Sequence, residues 1–216
     1  MTARKILGGS LAGILLATTA LAETSATATT DLNLRSGPGP VHEVISVIPE
    51  GGTVTVGGCL DTSDWCQVTR DGVEGWAYGA YLNTEIEAEP TPIAAPAARQ
   101  TIRIIDRQET GATTTAGGAL GAIAGAIIAG PPGALIGAAA GLGAGALAEP
   151  TTREITYVRE NPLDPVWLEG EVVVGASLPE AITLTPVPDS EFTYAYVNHV
   201  PVIVEPQERT IVYVPR

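Results

Sequence analysis

Between Glu109 and Glu149 the chain carries no charged residue, and within that stretch Gly133, Gly137, Gly141 and Gly145 recur at strict four-residue spacing. Gly117, Gly121 and Gly125 repeat the pattern upstream. Residues four apart share one helix face, so a row of glycines leaves a smooth groove that another backbone can approach closely. Pro131-Pro132 neither continue a helix nor donate hydrogen bonds, which predicts two helical arms, 116–130 and 133–148, folded as a hairpin. At 1.5 Å per residue each arm is about 22–24 Å long, short of a ~30 Å hydrocarbon core. The stretch is therefore expected to associate with a membrane or to pack on itself, and a two-pass span is the weaker expectation. A disordered linker is the alternative, because each interior glycine costs about 1 kcal/mol relative to alanine. Against it stand Ile123, Ile127, Ile128, Leu135, Ile136 and Leu142, too apolar for a plain spacer. No G-K-[ST] ending and no preceding strand accompany the glycines, which argues against a phosphate loop.

The amino terminus gives the same address. Arg4 and Lys5 precede an apolar run from Ile6 to Ala17, and Ala20-Leu21-Ala22 offers a small-x-small cleavage pattern before Glu23. Residues 1–22 are read as a signal peptide, since the run is shorter than the roughly 20 apolar residues of a span. Its removal leaves nine basic against 24 acidic residues, a net charge of −15. So acidic a chain, with scattered arginines, is not a nucleic-acid binder and has no electrostatic grip on anionic lipid. Membrane contact would have to come from 113–148.

Composition divides the remainder. Residues 23–83 alternate short apolar runs with Gly, Pro and Asp turns, 84–112 opens rich in Glu, Ala and Pro, and 151–216 returns to short β-like runs. Two small domains flanking a linker and an apolar hairpin are expected, each so small that it wants a staple or a partner. In the first, Leu32 and Leu34 alternate with polar residues, as do Val54 and Val56, which predicts half-buried strands. Gly37 and Gly39 flank Pro38 in a tight turn, and Asp71-Gly72 predicts a hairpin. Cys59 and Cys66, separated by a turn-rich spacer, are expected to form a disulfide in an oxidising compartment. A redox pair or half a metal site is the alternative, weakened by the lack of C-x-x-C spacing and by only two histidines, His42 and His199.

Asp31-Leu-Asn-Leu-Arg-Ser-Gly-Pro-Gly39 resembles the opening motif of bacterial SH3-like domains, and Gly75-Trp-Ala-Tyr-Gly-Ala-Tyr-Leu82 resembles their closing motif. The resemblance implies a small bent β-barrel that binds cell-wall peptide or an envelope protein and performs no catalysis. Arg35, Trp65, Tyr78 and Tyr81 are the candidate peptide groove, because aromatic faces and one guanidinium suit an extended peptide with a carboxylate. Trp76 is read as core, and Asn33 and Gly37 as serving turn geometry.

From Asn83 to Gln100 the chain reads as an extended linker, with Glu85, Glu87 and Glu89 repelling one another and Pro90, Pro92 and Pro96 disfavouring helix. Ile102, Ile104 and Ile105 fit either a strand or a helix start. Further on, Val172-Val-Val-Gly-Ala-Ser-Leu-Pro179, Leu184-Thr-Pro-Val-Pro188, the run Tyr194 to Pro206 and Ile211-Val-Tyr-Val214 resemble, over 154–216, a bacterial envelope domain family of unknown function. Tyr194–Val197, Val202–Val204 and Ile211–Val214 are expected as three strands of a β-meander, with Asn198-His199 as a turn and Pro201 at a strand start. The acidic residues near its turns (Asp189, Glu191, Glu205, Glu208) read as solvated surface, and no Ser/His/Asp or Cys/His set can be assembled from two histidines.

The expected molecule is mainly β: a small SH3-like barrel and a β-meander separated by a Pro-rich linker and a Gly/Ala-rich helical hairpin. The expected role is exported, non-enzymatic binding in the periplasm or envelope, with no cofactor, no metal, and possible homo-oligomerisation through the glycines. A structural or assembly protein without a wall ligand is the alternative.

Overall fold

The computed structural model describes residues 24–61, 64–106, 128 and 149–216. The signal-peptide segment and the seven glycines of the four-residue repeat lie outside the described residues. The architecture is mainly β, with one strongly curled sheet and a second small sheet towards the carboxyl end.

The first sheet is built from β1 (Thr24–Ala28), β2 (Leu32–Arg35), β3 (Val44–Ile48), β4 (Thr53–Leu60), β5 (Trp65–Arg70), β6 (Val73–Tyr78), β7 (Leu82–Ile86), β8 (Glu89–Pro92) and β9 (Ile104–Ile105). Its order is β3-β2-β6-β5-β4-β1-β7-β8, with β9 lying parallel to the end of β4. The predicted turn at Asp71-Gly72 joins β5 to β6, both residues taking positive φ. Cys59 and Cys66 face each other across β4 and β5 and are joined as a disulfide. Leu32 and Leu34 turn into the barrel with Ile48, Val54, Val68 and Leu82.

One expectation needs correction here, and two points left open are filled in. The sheet begins at Thr24: β1 lies between β4 and β7, with Ala26 opposite Val54, Ala28 opposite Leu82, and both alanines buried. The linker expected over 84–112 is, from 84 to 106, part of the barrel: β7 and β8 form a hairpin turning at Glu87-Ala88, a short helix α1 (Pro96–Arg99) follows, and Ile93 and Ala98 are buried. Prolines did not prevent this because β8 is the outermost strand, where a missing N–H breaks no inner ladder. Ile104 and Ile105 resolve as strand β9, not helix.

The carboxyl-terminal module opens with helix α2 (Thr152–Glu160), which was not read from the sequence. Its start is a reciprocal capping box: Thr151 Oγ1 accepts from the Glu154 N–H and Glu154 Oε2 accepts from the Thr151 N–H. Then come β10 (Thr185–Pro186), β11 (Thr193–Val197), β12 (Val200–Glu205) and β13 (Thr210–Tyr213), ordered β10-β11-β12-β13. Pro201 lies one residue into β12 opposite Tyr196, whose carbonyl is turned away to accept from the Val166 N–H. No ladder donor is needed at that pair, so proline is tolerated. Under α2, Val158 packs with Phe192, Tyr194, Ile203 and Val212.

The two modules are not independent beads. Leu32, Leu34, Ile48 and Leu82 of the barrel and Leu168, Val172, Val173, Val197 and Val202 of the second module belong to one continuous buried cluster. Ile128 from the glycine-rich stretch joins it, its N–H donating to the Glu169 carbonyl at 3.0 Å beside Gly170. Each module alone is of a size that buries little, and a common core supplies what neither holds separately.

Candidate functional site: the junction cleft

Strand β2 explains how the junction is made. Side chains alternate along a strand, so Leu32 and Leu34 enter the barrel while Asn33 and Arg35 emerge on its other face. All four are buried, because the second module covers that outer face. Glu171, preceded by Gly170 at φ +98°, supplies the counter-charge. Arg35 Nε donates to Glu171 Oε2 at 2.5 Å and Nη2 donates to Oε1 at 2.6 Å, while Asn33 Nδ2 donates to Oε1 at 3.1 Å. Arg35 Nη1 donates to the Pro40 and His42 carbonyls, and the Val172 N–H donates to Glu171 Oε1. Both charged side chains are 0% exposed, a fully hydrogen-bonded buried pair.

Glu171 is held in place by the β11–β12 turn. Asn198 and His199 both adopt positive φ, as a tight two-residue hairpin requires. The buried Asn198 amide accepts from the Leu168 N–H and donates to the Leu168 and Gly170 carbonyls, clamping the segment that ends at Glu171. His199 stands edge-on to Trp167, ring centroids 4.3 Å apart.

Beside this junction a cleft of about 500 Å³ opens. One wall is β3 and the loop before it, with Val41, His42, Val44 and Val47; the other is His199, Val200, Pro201 and the chain end Pro215-Arg216. Gly37 is needed here for space, since a Cβ at that position would overlap the His42 ring. Burial first, and then the Arg35 charge, lower the pKa of His42 below its ordinary 6.5. Arg216 closes one end by donating to the Asp31 carboxylate at 2.9 Å.

The sequence-expected groove residues are placed differently. Trp65, Tyr78 and Tyr81 do come together as an aromatic row, with centroids 5.4 and 6.0 Å apart. Trp65 and Tyr81 are only 2% and 3% exposed, however, and Trp65 packs with Leu60, Trp76 and Ile105. Burial pushes the Tyr78 phenol up to about 12 and Tyr81 higher still, so both stay protonated. Arg35 already holds a carboxylate from its own chain. Arg35 is covered by the second module and Trp65 and Tyr81 by the barrel's own packing, while Tyr78 stays partly exposed, so the four do not line one open groove. Asn33, read as serving a turn, is instead a Glu171 ligand. Glu171 itself carries no local sequence signal, being one of several glutamates in an acidic chain.

Among the described residues no set of His, Cys, Asp and Glu is arranged to hold a metal ion, and no helix is long and apolar enough to cross a membrane. The disulfide points to an oxidising, extracytoplasmic setting.

A curled barrel closed by these motifs, with a cleft beside it, is the architecture of a small SH3-like module. Residues 30–83 match the family model of the bacterial SH3 domain, and residues 157–216 match that of the Domain of unknown function (DUF1236). The match over 30–83 suggests cell-wall or protein binding, and the match over 157–216 is to a separate domain to which no function is attached. Neither a curated protein nor a solved structure matches the chain.

Proposed function

We propose that this chain is an exported, non-enzymatic binding protein of the bacterial envelope that takes cell-wall peptide or a protein segment in the cleft between its two modules. One observation carries this: the two modules share a core yet leave between them a valine- and proline-walled cleft of about 500 Å³, within the ~300–1,000 Å³ of ligand-sized sites. Strand β3 ends its sheet, so an extended chain laid along it meets backbone groups as well as side chains. The glycine-rich stretch serves membrane association or self-association, and the signal peptide delivers the protein outside the cytoplasm.

The test is co-sedimentation of the oxidised chain lacking residues 1–22 with isolated peptidoglycan. Saturable binding is expected, lost in Val44→Asp on the cleft wall and kept in Ile45→Asp, whose side chain is exposed outside the cleft. A protein that stays in the supernatant refutes wall binding. A second reading, an assembly protein in which the barrel only packs, draws on the burial of Arg35, Trp65 and Tyr81. It calls for concentration-dependent oligomers in sedimentation velocity that disappear when Gly137 and Gly141 are replaced by leucine.

A further inference from the structure

The chain has only two histidines, 157 positions apart in sequence, and the fold brings both to the walls of one cleft. Histidine is the side chain that ordinarily changes charge between pH 5 and 8. The charged groups facing the pair are Arg35 on β2, Glu43 beside His42, and Arg216 at the chain end. Arg35 is satisfied by Glu171, and Arg216 by Asp31. With both arginines paired, the free charge at neutral pH is Glu43, exposed at the rim. Protonating the histidines reverses the sign of the cleft, which is unusual ground in a chain of net charge −13.

Resting on the junction cleft as the ligand site, we infer that its two histidines make it a pH-gated receptor for an extended peptide with small apolar side chains and a free carboxylate. Val41, Val44, Val47, Val200 and Pro201 cover the apolar part of such a ligand, and the imidazoliums on opposite walls meet its charge. Near neutrality the unpaired charge of the cleft is the Glu43 carboxylate, which repels a ligand carboxylate. Acidification creates the anion site, against the burial and the Arg35 charge that resist protonation of His42, and a bound carboxylate in turn favours protonation of the histidines.

The experiment is calorimetric titration of the oxidised chain lacking residues 1–22 with N-acetyl-Ala-Ala-Ala, as the free acid and as the C-terminal amide, at pH 5.5 and 7.5. The free acid should bind at least about fivefold more tightly at pH 5.5, the scale of one added charge pair near a protein surface, while the amide shows no such gain. His199→Gln, at an exposed turn, should lose part of the gain, and His42→Gln/His199→Gln all of it. Circular dichroism at both pH values checks that each variant is folded. Equal binding of acid and amide, no binding of either, or a pH gain that survives the double substitution overturns the inference. Retained sedimentation with peptidoglycan in those cases would show that the gating has failed and wall binding has not.

Discussion

At the scale of single residues the molecule turns on Arg35 and Glu171. Removing one partner of a buried, hydrogen-bonded ion pair leaves a charge in a dry interior, whereas replacing both with apolar groups of similar size can be nearly neutral. Glu171→Ala should therefore cost about 3–5 kcal/mol, read as a lower midpoint in urea unfolding. The Arg35→Met/Glu171→Leu double variant should recover most of that loss, and a double variant as unstable as Glu171→Ala would show that the pair is worth more than its shape. Asn198 belongs to the same argument. Its amide makes the hydrogen bonds that hold segment 168–170, and its φ of +53° suits asparagine. Asn198→Ala should cost more than the ~1 kcal/mol of one ordinary hydrogen bond, measured in the same unfolding series.

At the scale of elements, the disulfide between β4 and β5 closes a short loop, and the Cys59→Ala/Cys66→Ala variant should lose about 2–3 kcal/mol by loop-closure entropy, seen as a lower thermal midpoint. A fragment ending at residue 89 should fail to give a cooperative melt, since it lacks Pro92, Ile93, Ala98 and β9. Strands with strict alternation and a strong turn, such as β2 and the β5–β6 hairpin, could be read directly, as could the meander of β11 to β13. The elements that were missed had weak or contrary local signals. β8 carries Pro90 and Pro92, and its strand identity comes from an edge position that only topology reveals. Helix α2 had a readable cue in Thr151 and Glu154, obscured by β-branched residues around it. The aromatic row was legible as a group, but its burial was not, because Trp65 is covered by Ile105 of β9, in a segment that reads as linker, and Arg35 by Glu171, more than a hundred residues later.

At the scale of the whole molecule, the shared core makes the two modules one stability unit, and pH acts on it through His42. Because burial and Arg35 lower its folded pKa, the unfolded chain binds protons more readily below the ordinary value of 6.5. Its contribution to stability is fully present above about pH 6.5 and is lost as pH falls through the lowered folded value. Urea midpoints should accordingly fall on acidification through that window, and His42→Gln should flatten this part of the profile. An unchanged slope in the variant would assign the acid sensitivity to other groups. Ligand carboxylate in the cleft should oppose the loss.

The long reach of Arg35 also sets a timetable. Synthesis runs from the amino terminus, and contacts between distant positions form late because the intervening chain must first be closed. The cysteines are seven residues apart and can meet while the barrel is still emerging, but Glu171 lies 136 positions beyond Arg35. Until it arrives, the outer face of β2 is an unfinished surface offering a guanidinium and an amide to any passing carboxylate, so the nascent barrel has its own window of promiscuity that the completed protein closes.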